Sequence, residues 1–125
     1  MKAKILLIDD EVDFLKILKS VLEQNGYGVQ TANSAREGMQ QIVNNKFDLV
    51  ITDVRMPGAS GLVFSELAHM VGETPIIVLS GHVSYEDIPD AEKPPGIVTF
   101  LSKPIDQKTL CHAIENVLPK VQRIS

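Results

Sequence analysis

"KILLIDDEV", residues 4–12, changes character in its middle. "KILLID" (4–9) is a short continuous apolar run, the pattern of a strand buried on both faces. Two carboxylates, Asp9 and Asp10, stand where that strand should end, and Glu11 follows them. Residues 13–25 then carry Phe14, Ile17, Leu18, Val21 and Leu22 at helical spacing, and Asn25-Gly26 supplies a stop. Leu15 falls at the margin of that stripe, near the acids, where an exposed apolar residue could meet a partner helix. A buried strand, a charged end and an amphipathic helix together open an α/β unit.

The alternation continues down the chain. "YGVQTA" (27–32) reads as a second, weaker strand, and "SARE" (34–37) is a capping-box signature that starts a helix at Ser34 running to about Asn45. "LVITD" (49–53) is a third strand. The loop "RMPGASG" (55–61) leads into a helix from about Gly61 to Val71. "PIIVLS" (75–80) and "IVTFLS" (97–102) are the fourth and fifth strands. Asp106 can cap a last helix in which Leu110, Ala113, Ile114, Val117 and Leu118 share a face. Strands alternating with helices predict an α/β fold with a doubly wound, five-stranded parallel sheet, and right-handed crossovers leave it few topologies.

Such a sheet carries its functional site outside the carboxyl ends of its strands. Those ends collect Asp9 and Asp10, Asp53, Ser80 and Lys103. Like charges about 4 Å apart, at an effective dielectric near 20, repel by on the order of 4 kcal/mol per pair. Either a proton is kept or a cation is held, and oxygen ligands in a half-open site suit Mg²⁺. The plainer reading of Asp9 and Asp10 is that they favour the positive start of the following helix. A carboxylate can also act as a nucleophile and form an aspartyl phosphate, and Asp53, ending the central strand, is the candidate. A transferred phosphoryl group spreads its charge over three oxygens, which a metal ion, a lysine such as Lys103 and a hydroxyl such as Ser80 can support.

The chain has 125 residues, the size of one domain, and its 44% hydrophobic content is that of a soluble globular protein. With a single cysteine, Cys111, no internal disulfide forms, and a reducing, cytoplasmic setting is expected. No apolar run reaches membrane-span length, and the N-terminus meets acids too soon for a signal peptide, so no membrane contact is expected. The net charge of −4 without a basic cluster argues against direct nucleic-acid binding. No output domain is expected after the last helix. His69, His112 and Cys111 lack metal-ligand spacing; the histidines read as helix-surface residues and the cysteine as packing near the core.

"ILLIDDE" (5–11), "DLVITDVRMPG" (48–58), "PIIVLSG" (75–81) and "FLSKP" (100–104) resemble, in order and spacing, the receiver domain of two-component response regulators. The resemblance covers nearly the whole chain as one receiver, 1–125, and implies the flavodoxin-like strand order 2-1-3-4-5. It implies that Asp53 accepts a phosphoryl group from a sensor histidine kinase or a histidine phosphotransfer protein. Asp9, Asp10 and Asp53 would bind Mg²⁺ with the backbone carbonyl of Arg55, and Lys103 would contact the phosphoryl group. Lys103-Pro104 would be a cis peptide. Ser80 and Phe100 would form the switch, read by a downstream partner. Arg55 and His82, two residues after Asp53 and Ser80, match positions that tune phosphate lifetime. A receiver is not an enzyme with an external substrate.

One segment departs from the pattern. "HVSYEDIPDAEKPPGIV" (82–98) should hold the fourth receiver helix, yet Pro89 and Pro94-Pro95 interrupt it, and no apolar stripe survives between Ile88 and Gly96. An interior proline costs a helix about 3 kcal/mol. A short or irregular fourth helix is expected, which weakens the homodimer that many receivers build on that face. Three alternatives compete with phosphorelay. A Mg²⁺-dependent phosphohydrolase of the haloacid-dehalogenase type wants D-x-D after the first strand, whereas Asp9 and Asp10 are adjacent. A flavodoxin-like cofactor module needs a hydroxyl-rich phosphate loop where "DDEVD" stands. A receiver-like interaction module that works without phosphorylation would keep the fold and leave the site idle.

Overall fold

The computed structural model describes residues 3–53, 74–80, 97–103 and 105–118. The apolar runs become strands: β1 (Lys4–Ile8), β2 (Gly28–Ala32), β3 (Leu49–Asp53), β4 (Ile76–Ser80) and β5 (Ile97–Ser102). All neighbours are parallel, in the order β2-β1-β3-β4-β5. The described helices are α1 (Val12–Gln24), α2 (Ala35–Asn44) and α3 (Gln107–Val117).

The alternation of side chains along a strand divides the core in two. Ile5 and Leu7 of β1, Leu49 and Ile51 of β3, and Ile77 and Leu79 of β4 pack with Leu15, Leu18 and Leu22 of α1 and with Leu110, Ile114 and Val117 of α3. On the opposite face Leu6, Ile8, Val50, Ile76 and Val78 pack with Ala35 and Ile42 of α2 and with Phe47. Both faces of the sheet are therefore covered, which is why its central strands read as unbroken apolar runs. Phe47 closes its side beneath the Lys4 ammonium, 5.1 Å from the ring centroid.

Local signals set the helix ends. The Ser34 hydroxyl accepts the Glu37 N–H at 3.1 Å, the bond a capping box requires. Helix α1 ends at Asn25, and Gly26 follows with φ 94°, a left-handed conformation that glycine adopts without a Cβ clash. Asp106 takes the first cap position of α3, but its carboxylate accepts from the Thr109 hydroxyl at 3.3 Å and makes no bond to the backbone.

The stripe on α1 needs correction. Leu15, expected at the margin, is buried in the core, while Ile17, expected inside the stripe, is 64% exposed. Phe14 and Val21 are half-buried. The burial face runs through 15, 18 and 22, about 65° to one side of the expected line on a 100° wheel. The face of α3 is the expected one: Leu110, Ile114, Val117 and Leu118 are buried, Ala113 and Cys111 pack against them, and His112 is exposed. The helix expected over 61–71, the segment 84–96 and His69 lie outside the described residues.

Candidate functional site

Strand register brings the acids level. Ile8 pairs with Thr52 across β1 and β3, so Asp9 and Asp53 are the next residues along neighbouring strands. Asp53 pairs with Leu79 of β4, and Leu79 with Leu101 of β5, two residues before Lys103. The period of two then decides the side. Asp9 continues Ile5 and Leu7, Asp53 continues Leu49 and Ile51, and Lys103 continues Leu101, all on the face packed by α1 and α3. In β5 the partners of Ile76 and Ile77 are Ile97 and Thr99, so one extra residue is inserted there. That bulge sets the phase in which Lys103 arrives.

The Lys103 Nζ donates to Asp9 Oδ2 at 2.7 Å and to Asp53 Oδ2 at 3.1 Å. Asp9 and Asp53 are almost removed from water, 2% and 6% exposed, whereas Asp10 is exposed. The other Asp9 oxygen, Oδ1, accepts the Glu11 N–H at 2.9 Å. This bond sits just before α1, so the plainer reading of the acids as helix-start groups holds for one oxygen of Asp9. Among the described residues Asp9 is thus fixed at both oxygens. Burial pulls the Lys103 ammonium toward deprotonation and is the largest single influence on it. The hydrogen bonds and charges of Asp9 and Asp53 outweigh that pull and hold its pKa above the ordinary lysine value.

Asp9, Asp10 and Asp53 each offer a carboxylate oxygen, and these atoms lie within 4.8 Å of one another. Among the described residues this group holds three carboxylates and the Lys103 ammonium bridges two of them, so acids outnumber cations there. An all-oxygen donor set with one exposed member fits a hard divalent cation that retains water ligands. The residues present therefore fit Mg²⁺.

The position of Phe14 was hidden in the sequence, where it reads as one more member of an apolar stripe. In the structure its ring lies beside Lys103, with Nζ 4.7 Å from the ring centroid. The available signal was its place: the third residue of α1, four after Asp10, on the turn nearest the strand ends.

Residues 5–115 match the response regulator receiver domain family. The chain belongs to that family. It is 38% identical over 117 residues to the transcriptional regulatory protein GlrR of Escherichia coli, covering 93% of this chain and 26% of that protein. It thus spans about a quarter of the length of the curated relatives it matches. Among solved structures, a receiver domain protein from Clostridium thermocellum superposes with a TM-score of 0.87 at 34% identity, covering 98% of this chain and 99% of that one. A CheY-like receiver from Methanospirillum hungatei superposes with a TM-score of 0.88 at 28% identity, covering 98% of each.

For this receiver the structure brings Asp9, Asp10, Asp53 and Lys103 together. Ser80 ends β4 opposite Ser102, and Phe100 lies within β5 opposite Val78. The switch expected of the Ser80 and Phe100 side chains lies outside what is described, as do Arg55, His82 and Pro104.

Proposed function

We propose that this receiver is a phosphoacceptor whose acceptor is Asp53. The observation that carries the reading is the Lys103 ammonium held across Asp9 and Asp53 in a buried acidic cluster at the carboxyl ends of the central strands. A carboxylate oxygen of Asp53 attacks phosphorus, forming an O–P bond as the N–P bond of a phosphohistidine breaks. The leaving imidazole keeps the bonding electron pair and takes up a proton. The donor is a sensor histidine kinase or a histidine phosphotransfer protein.

Lys103 supports this transfer by pairing with a phosphoryl oxygen, which it reaches from its place on Asp53. Mg²⁺, held by Asp9, Asp10, Asp53 and the Arg55 carbonyl, would supply the remaining charge neutralisation. Asp9 cannot swing away freely, because the Glu11 N–H fixes its second oxygen. Ser80 and Phe100, on neighbouring strands, complete the proposal as the switch, and Arg55 and His82 are assigned the tuning of phosphate lifetime by their places in the sequence, two residues after Asp53 and Ser80. By their names GlrR and its like regulate transcription. What carries over is that a downstream partner reads the phosphorylated state.

Beryllofluoride, a stable mimic of the aspartyl phosphate, tests the site without a kinase. Fluorine NMR should show a bound signal that requires Mg²⁺ and vanishes in Asp53→Asn. A bound signal that persists in Asp53→Asn would place the acceptor elsewhere.

A further inference from the structure

We infer that Phe14 is a positioning residue for Lys103, acting through the face of its ring. The inference rests on the phosphoacceptor reading for its consequence, but its geometry stands without it. An ammonium within about 6 Å of a phenyl centroid is attracted by the ring quadrupole, more strongly where water is thinned out. Here the distance is 4.7 Å, and the Lys103 side chain is only 16% exposed. The ring is held in its own right, half-buried and packed against the core shared by α1, α3 and the sheet. Phe14 is the third residue of α1, so its ring is carried to this place by the packing of that helix on the core.

The arrangement divides the work around one ammonium. A lysine has three N–H donors. Two neighbours, Asp9 and Asp53, accept hydrogen bonds, while the third close neighbour, Phe14, attracts the charge without accepting a conventional one. Among the described residues one donor is thereby left for a phosphoryl oxygen. The carboxylates are also the groups that a divalent cation draws upon, so their hold on Lys103 weakens when the site is loaded. The ring is the one of these three neighbours for which the cation does not compete. Phe14 accordingly keeps Lys103 over the site in both conditions. An aliphatic residue of similar size would fill the core and lose this hold.

The test compares the full chain with Phe14→Leu and Phe14→Tyr. Lysine labelled with ¹³C at the ε carbon, assigned through Lys103→Arg, reports the ring-current shift of the Lys103 ε protons. The inference predicts an upfield shift in the parent protein that persists on addition of Mg²⁺, is lost in Phe14→Leu and is kept in Phe14→Tyr. Phosphorylation by acetyl phosphate should slow about fivefold in Phe14→Leu and recover in Phe14→Tyr. Unshifted ε protons in the parent protein would overturn the inference, and that reading needs no variant to fold. A Phe14→Leu protein that phosphorylates at the parent rate would overturn it too. If the parent protein takes no phosphoryl group at all, the phosphoacceptor reading fails, while the NMR shift still decides whether the ring holds the lysine.

Discussion

Asp9 shows how one side chain is made to serve two ends. Its Oδ1 accepts the Glu11 N–H and its Oδ2 accepts from Lys103, so a nearly dry carboxylate is fully satisfied. Lys103 bridges Asp9 and Asp53, and its loss leaves the two carboxylates facing each other. Lys103→Met should destabilise the fold by about 2 kcal/mol in urea unfolding with EDTA present. That is below the ~3–5 of a fully buried pair, because Lys103 keeps partial access to water. Mg²⁺ should restore a larger share of stability in this variant than in the parent. Asp10, exposed, should behave oppositely: Asp10→Asn should leave stability within about 0.5 kcal/mol while weakening Mg²⁺ binding on the order of tenfold by calorimetry. Tyr27 offers a pH signature far from the site. Burial first, then the neighbouring Glu115 and Cys111, raise its phenol above the ordinary 10.0. The protonated phenol's contribution is complete below pH 10, and is lost as pH rises from there through the raised folded value. Urea midpoints should therefore fall more steeply above pH 10 in the parent than in Tyr27→Phe.

At the scale of elements, the strands, the Ser34 cap and the face of α3 were legible, whereas the Asp106 cap and the phase of α1 were not. The strands match the apolar runs to within a residue, because a strand covered on both faces has no polar side to blur it. Ser34 and Glu37 announce their own hydrogen bond, and Ser34→Ala should cost about 1 kcal/mol, with Ser34→Gly costing a few tenths. Helix α1 is different. Apolar residues at 14, 15, 17, 18, 21 and 22 support two overlapping stripes, and only the sheet selects the one through Leu15, Leu18 and Leu22. The consequence is measurable: Leu22→Ala should cost about 2–5 kcal/mol, whereas Ile17→Ala should stay within about 0.5. The same ambiguity concealed Phe14. A sequence can put an aromatic residue on a stripe, but its meeting with Lys103 depends on how α1 lies against strands that are distant in the chain.

Across the whole molecule, the site is a product of topology. Asp9, Asp53 and Lys103 come from three strands and meet because parallel register and a period of two bring them to one edge and one face. Their gathering at strand ends could be read from the chain. Which oxygens the lysine bridges could not, since that depends on a bulge in β5 and on the packing of α1. We propose that this gathering is what makes Asp53 a phosphoryl acceptor. Intact mass after incubation with acetyl phosphate and Mg²⁺ tests it most directly, with Asp53→Asn and an EDTA sample alongside. The parent protein should gain one phosphoryl group and neither control should gain any. A gain that survives in Asp53→Asn, or no gain in a parent protein shown to bind Mg²⁺, would contradict it.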